Sequence, residues 1–209
     1  MIALAASAAL AACLSAEAAG QPAGTTAEQP WLDRNLSPEA RARAAVAAMT
    51  LDEKLRLVFG YSDQALTDVS KVPDETVSPE LKAYVVSHLV KGSAGFVPGV
   101  PRLGIPDQTQ TDASMGVRNS FIPSTALPSS LATAASFDPA VPKAGGAMIG
   151  AEARATRHNT MLSGGVNLAR EPRNGRNFEY AGEDPLLAGE MVGALIDGIQ
   201  SNRIVSTIK

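Results

Sequence analysis

The side chains of this sequence best suited to binding or catalysis follow three separate apolar segments. Asp112 is expected in the loop after the apolar region at 96–105, and Lys209 comes after the β-branched run IVSTI. Arg170 and the charged segment EPRNGRNFEYAGEDP, which holds Arg173 and Arg176, follow a third apolar stretch. Carboxylate, guanidinium and ammonium groups form charge-assisted hydrogen bonds, which are about twice as strong as neutral ones. If the three apolar segments are neighbouring strands, these groups form the rim of one polar site.

Helix-start signals precede most of the longer elements. Each combines a Ser, Thr or Asp that can accept a backbone N–H with a proline or an acid in the first turn. The signals are Ser37-Pro38, Thr50 with Glu53, Ser78-Pro79, Asp138-Pro139 and Asp184-Pro185. They predict helices over 38–49, from 51 onward, over 79–91, over 139–157 and from 185 onward.

Short apolar runs between these helices are the predicted strands: Phe96-Val97, Leu131–Ala135, Met161–Ala169 and Ile204–Ile208. Alternation of strands and helices indicates a parallel α/β sheet, either doubly wound or closed into a barrel. A dinucleotide fold carries G-x-G-x-x-G after its first strand, and no such motif or Gly-Lys-Ser/Thr occurs here. In a (β/α)₈ barrel, functional groups lie at the carboxyl ends of the strands, which is where the charges fall.

Bulk composition excludes several classes of protein. The formal net charge is −3 and there is no basic run, so nucleic acid is not an expected partner. A single cysteine, Cys13, excludes an internal disulfide. Because no carboxylate–histidine spacing accompanies it, no metal site is expected.

The amino terminus has the pattern of an export signal. Residues 1–19 are almost all small and apolar, and Leu10-Ala11-Ala12-Cys13 is similar to a bacterial lipobox that would lipidate Cys13. Cleavage within 16–20 by an ordinary signal peptidase and an Ala-rich disordered tail are the alternatives. Residues 20–36 are predicted to be a flexible tether. The protein is therefore expected to be periplasmic, an outer-membrane lipoprotein or secreted, with membrane contact only through Cys13.

Several segments together resemble glycoside hydrolase family 3, a family of exo-acting β-glucosidases and β-xylosidases. In chain order they are MTLDEKLRLVFGY, GIPDQTQTDASMGVR, ALPSSLATAASFDP, GVNLAREPRNGRNFEYAGEDP and STIK. The resemblance implies a distorted TIM-like (β/α)₈ barrel followed by an α/β sandwich. Residues 37–209 would then be the first half of the barrel domain, with the barrel incomplete.

The resemblance also implies roles for individual residues. Asp112 matches the sugar-binding aspartate of D-G-P-x-G-V-R, Arg176 the arginine of G-R-N-F-E, and Lys209 the lysine of a Lys-His pair. Arg170 either lines the pocket or pairs with Glu171 or Glu179. The sequence departs from the family where Ala113-Ser114 replaces Gly-Pro and where Asn174 replaces a tryptophan.

The implied activity is hydrolysis of a terminal non-reducing β-linked sugar from an oligosaccharide or β-glycoside, with retention and with no cofactor or metal. Its nucleophile and acid/base are expected beyond residue 209, so the 209-residue chain alone is expected to be inactive and poorly folded. Glu179 is expected to order the loop arginines, and Asp184 to cap a helix. The alternatives are the β-N-acetylhexosaminidase branch of the family and a non-catalytic exported sugar-binding protein.

Overall fold

The computed structural model describes residues 29–62 and 77–209. The described residues up to Ala48 form one compact unit, and the described residues from Met49 to Lys209 form a second. In the first unit a 3₁₀ helix, Pro30–Leu32, precedes helix α1, Pro38–Ala48, and Arg41 Nε donates to the Trp31 carbonyl at 2.7 Å. The predicted signal with Cys13, and the predicted tether as far as residue 28, lie outside the described residues.

Five further α-helices lie in the described part of the second unit, and most begin at the predicted signals. They are α2 (Leu51–Leu57), α3 (Pro79–His88), α4 (Ser130–Ala134), α5 (Ala140–Ala155) and α6 (Pro185–Gln200). The predicted capping box of Thr50 and Glu53 is confirmed. Ser78 caps α3, and the Asp184 carboxylate accepts from the first amides of α6. These starts follow from contacts within four residues, which the sequence alone specifies.

A four-stranded sheet, in the order β1-β2-β3-β4, lies at the centre of this unit. The strands are β1 (Gly95–Val97), β2 (Gln108–Asp112), β3 (Thr160–Leu162) and β4 (Val205–Thr207). Strands β2, β3 and β4 are parallel, as predicted, with Gln110, Thr160 and Val205 in register. The prediction of an all-parallel sheet is wrong for β1, which pairs antiparallel with β2. The connecting segment at 98–107 is too short for the crossover that parallel neighbours require.

Three strand predictions need correction. Asp112 is the last residue of β2 rather than a loop residue, because the polar segment QTQTD forms a strand that buries Thr109 and Thr111. Leu131–Ala135 is not a strand; it falls on α4, whose first turn is capped by the Ser129 hydroxyl. The strand predicted over 161–169 ends at Leu162, and the chain then turns through Gly164 at φ +88°.

Helices α5 and α6 cover the parallel strands and pack closely against each other. The buried cluster between helices and sheet contains Ala113, Val117, Ile149, Ala153, Met161, Ile199 and Ile204. The backbones touch at Gly146 of α5, where a Cβ would lie 2.1 Å from the Leu195 carbonyl oxygen. Gly198 of α6 meets the Lys143 carbonyl oxygen in the same way. Only glycine fits at these two positions, so the contact fixes how close the helices lie. None of the helices in residues 29–62 and 77–209 is long and apolar enough to span a bilayer.

Candidate functional site

A polar cleft of about 590 Å³ opens at the carboxyl ends of the parallel strands. Because β2, β3 and β4 run in the same direction, the residues that follow them meet at one edge of the sheet. Asp112, Arg176 and Lys209 all line this cleft. The structure therefore brings together the three residues to which the sequence analysis assigned sugar binding.

Asp112 and Lys209 form an ion pair across the cleft, with Lys209 Nζ 2.7 Å from Asp112 Oδ1. Their side chains are 37% and 34% exposed, so a ligand in the cleft can reach both. The Asp112 carbonyl accepts from the Arg118 amide at 2.7 Å, which ties the strand end to the following loop. The backbone of Lys209 is held by bonds to Gly164 and Val166, in the loop after β3. Hydrogen bonds to neighbouring loops therefore hold the backbone that carries both charged groups.

Arg176 reaches the cleft from the loop between β3 and α6, where it pairs with Glu179. Glu179 is buried, whereas the Arg176 side chain is 55% exposed. The charge-assisted bond that Arg176 donates to the Glu179 carboxylate raises the pKa of Arg176 above its usual value. The pair agrees with the expectation that Glu179 orders a loop arginine. The Arg176 side chain nevertheless stays accessible to a ligand in the cleft that it lines.

The other two arginines of the loop do not join this group. Arg173 is exposed and pairs with Glu171 at 2.9 Å, a hydrogen bond that lowers the pKa of Glu171. Arg170 is also exposed, and it is not among the residues that line the cleft. The two arginines of the Arg-x-x-Arg motif therefore differ. Arg173 pairs with Glu171 outside the cleft, whereas Arg176 pairs with Glu179 in the cleft lining.

The cleft lining includes further side chains that were not singled out from the sequence, among them Arg118 and Phe178. Arg118 adds a third cation, and the Phe178 ring is 48% exposed. Both lie within the segments that carry the family resemblance, Arg118 at the end of DASMGVR and Phe178 two residues after Arg176. Their position in those segments is the sequence feature that could have identified them as residues of the site.

A second, smaller cavity of about 150 Å³ lies among α4, α5 and α6 and shares Ser114 with the cleft. Its lining is mostly apolar and includes Leu127, Ala134 and Met191. Charged side chains line only the larger cleft among these two. Within the described ranges, no three His, Cys, Asp or Glu side chains are placed to hold a metal ion.

Comparison with protein families adds independent information. The model of the glycosyl hydrolase family 3 N terminal domain matches residues 85–209. β-Glucosidase BoGH3A of Bacteroides ovatus is 40% identical over 191 residues, which cover 86% of this chain and 21% of that protein. Thermostable β-glucosidase B of Acetivibrio thermocellus is 36% identical over 62% of this chain and 20% of its own length.

Solved structures of β-glucosidases are also similar to this chain. DesR, a β-glucosidase from Streptomyces venezuelae solved in complex with D-glucose, superposes with a TM-score of 0.64 at 34% identity. That match covers 81% of this chain and 18% of DesR. β-Glucosidase 3B from Thermotoga neapolitana, in complex with glucose, has a TM-score of 0.64 at 30% identity, over 80% of this chain and 22% of its own. The 209 residues therefore span about a fifth of the length of these relatives.

Proposed function

The chain belongs to glycosyl hydrolase family 3, and we propose that it forms the sugar-binding, amino-terminal part of an exo-acting β-glucosidase. In this proposal the four-stranded sheet with α5 and α6 is the first half of a (β/α)₈ barrel. The sugar binds at the carboxyl ends of the barrel strands. The β-glucosidases that share this fold, two of them solved with glucose, support the proposal.

The observation that carries the proposal is the arrangement of Asp112, Arg176 and Lys209 around one cleft. Sugar hydroxyls both donate and accept hydrogen bonds. The Asp112 carboxylate can accept from two neighbouring hydroxyls, while Lys209 and Arg176 donate to hydroxyl oxygens through charge-assisted bonds. The exposed Phe178 ring offers an apolar surface to the carbon-bound hydrogens of the sugar. Together these groups fit a single hexose ring.

Hydrolysis with retention requires a second pair of groups. A retaining glycosidase uses two carboxyl groups about 5–5.5 Å apart, one as nucleophile and one as acid/base. The two carboxylates that line the described cleft, Asp112 and Glu179, are each paired with a cation, Lys209 and Arg176. We therefore assign both to binding and positioning. The nucleophile and the acid/base are supplied by parts of the protein beyond residue 209.

The location of the protein is part of the same proposal. Residues 1–19 direct export, and lipidation of Cys13 anchors the mature protein to a membrane. Mass spectrometry of the mature amino terminus tests this directly. A lipid-modified Cys13 at the first position supports anchoring, and an unmodified terminus within 16–20 supports secretion without an anchor.

Asp112→Asn in the full-length protein tests the sugar site. The substitution keeps the shape of the side chain but removes the charge that Lys209 and the sugar share. Loss of a charged hydrogen bond costs about 1.5–3 kcal/mol, so affinity for glucose, measured calorimetrically, should fall about tenfold to a hundredfold. Asp138→Asn is the matched control, because the Asp138 carboxylate accepts from the Ala140 amide at the start of α5 and does not line the cleft. Unchanged glucose affinity in the Asp112 variant would contradict the assignment.

Turnover of an aryl β-glucoside tests the division of roles. The full-length protein should release the aglycone with retention, whereas the 209-residue chain should release none. Hydrolysis by the short chain would show that its own carboxylates are catalytic. Glucose binding without turnover by the full-length protein would instead indicate the non-catalytic sugar-binding alternative.

A further inference from the structure

Asn174 and Gly175 form the only Asn-Gly pair in the sequence, in the loop that presents Arg176 to the cleft. Both residues are exposed. A Cβ built at Gly175 would meet nothing within 4 Å, so the backbone there is open to solvent and unhindered. Asn174 also occupies the position at which the family resemblance expects a tryptophan.

The Asn174 side chain folds back along its own backbone. Its Oδ1 accepts a hydrogen bond from the Arg176 amide at 3.2 Å, the local turn that Asn side chains commonly form. This bond holds the side-chain carbonyl beside the Gly175 backbone and polarises it. Negative charge developing on Oδ1 would be stabilised by the same N–H, as a fixed donor stabilises an oxyanion. Within the described part of the chain, no acceptor is recorded for the Asn174 Nδ2.

We propose that Asn174 is a deamidation site that alters the rim of the cleft. The Gly175 backbone nitrogen, after losing its proton to hydroxide, attacks Cγ of Asn174. The bond from Cγ to Nδ2 breaks, and ammonia leaves with a proton returned from water. The resulting succinimide adds one water and opens to aspartate or to isoaspartate. Apart from water and hydroxide the step needs no other reactant.

The consequence falls on Arg176. Isoaspartate adds a methylene to the main chain two residues before Arg176, and either product adds a carboxylate. The new charge competes with Glu179 for the guanidinium that Glu179 now holds. This consequence for sugar binding rests on the proposed function, whereas the deamidation itself does not.

Asn119 provides an internal control. It forms the same kind of turn, because its Oδ1 accepts from the Phe121 amide at 2.8 Å. Its Nδ2, however, donates to the Lys91 carbonyl at 2.9 Å, and the next residue is Ser120. The side chain at position 120 hinders the backbone movement that ring closure requires. Asn119 should therefore react on the order of tenfold more slowly than Asn174.

The experiment is to age the full-length protein at mildly acidic and mildly alkaline pH. A chymotryptic digest that cuts after Leu168 and Phe178 leaves Asn174 in one peptide, in which mass spectrometry locates the gain of one mass unit. Conversion at Asn174 should exceed that at Asn119 and rise with pH. Gly175→Ala should slow it on the order of tenfold, and the open surroundings of Gly175 should let that variant fold. Equal rates at Asn174 and Asn119, or no effect of Gly175→Ala, would overturn the proposal.

The second measurement compares glucose affinity before and after conversion. The isoaspartate form, separated by ion exchange, should bind glucose about tenfold more weakly than the fresh protein. Asn174→Asp adds the negative charge without lengthening the main chain. It therefore separates the effect of the charge from the effect of the added methylene. Conversion with unchanged affinity would overturn the link to Arg176. Failure of the fresh protein to bind glucose would count against the proposed function and leave the mass result intact.

Discussion

The α5–α6 helix pair and the cleft at the strand ends are assembled from opposite kinds of contact. The helices meet backbone to backbone at Gly146 and Gly198, where a single added carbon would collide with a carbonyl oxygen. The cleft is assembled from two ion pairs, Asp112 with Lys209 and Arg176 with Glu179. Steric fit positions the helices, and charge positions the side chains of the cleft.

The difference corresponds to what each region has to do. A close backbone contact has only one geometry, which suits a scaffold that must hold strand ends in register. A partly exposed ion pair such as Asp112–Lys209 contributes little to stability, typically about 0–1 kcal/mol, and can exchange partners at small cost. These two groups can therefore turn from each other to the hydroxyls of a sugar. Substitutions in the two regions should consequently affect different measurements.

Gly146→Ala tests the scaffold. Its Cβ would lie 2.1 Å from the Leu195 carbonyl oxygen, so α5 and α6 must separate. Overpacking of this kind costs about 1–3 kcal/mol, even though alanine favours a helix. The denaturant midpoint of the full-length protein should fall accordingly. Gly145→Ala is the control, since its Cβ would make only an ordinary 3.4 Å contact with Leu127. Equal stability of the two variants would show that the helices are not held at this distance.

Glu179→Gln tests the cleft. The neutral amide no longer fixes the guanidinium of Arg176, so affinity for glucose should fall about tenfold. Glu171→Gln is the matched control in the same loop, because Glu171 pairs with Arg173, which is exposed outside the cleft. Calorimetric titration of both variants measures the difference. Equal losses would indicate that Glu179 supports the loop as a whole and does not position Arg176.

Much of the scaffold could be predicted because its determinants are local. Ser78, Thr50 and Asp184 cap helices through bonds to residues at most three positions away, so sequence spacing was sufficient. Strand β2 was missed because Thr109 and Thr111 are buried only by virtue of their neighbours β1 and β3. The helical segment after Ser129 was misassigned because periodicity cannot distinguish a short apolar strand from a single helical turn.

The convergence of Asp112, Arg176 and Lys209 on one cleft was also predictable, since parallel strands place their carboxyl ends together. Their binding of a sugar stays a prediction. The pairing of each charge was not predictable, because it depends on the irregular backbone of 163–184, which has no period. Arg118 and Phe178 reach the cleft through such loops.

Low pH should weaken contacts that depend on ionised carboxylates, whereas the steric contact between α5 and α6 should not change. Glu53 bonds to Arg102 and to the Thr50 amide, chiefly the former, and these bonds lower its pKa from the ordinary 4.5 to about 2. Because the folded pKa is the lower one, this stabilisation is present above pH 4.5 and is lost as the pH falls from there towards about 2.

The measurement is amide hydrogen exchange of α2 as a function of pH, with Arg102→Gln as the comparison. Wild type should protect α2 better than the variant near neutral pH, and the difference should shrink below pH 4.5. Protection of α5 should be the same in both proteins at every pH. A difference in α2 that grows on acidification would reverse the sign of the argument.

Gly193→Ala is expected to have the smallest effect and the opposite sign from Gly146→Ala. Gly193 lies within α6, is exposed, and has nothing within 4 Å of the position of a Cβ. Alanine there gains about 0.5–1 kcal/mol, because it restricts the unfolded chain and meets no neighbour. Gly198→Ala, on the same helix, should destabilise instead, since its Cβ would lie 2.1 Å from the Lys143 carbonyl oxygen. Denaturant midpoints that move in opposite directions for these two glycines would show that the inner face of α6 is set by steric contact, whereas shifts in the same direction would show that helix propensity alone governs both.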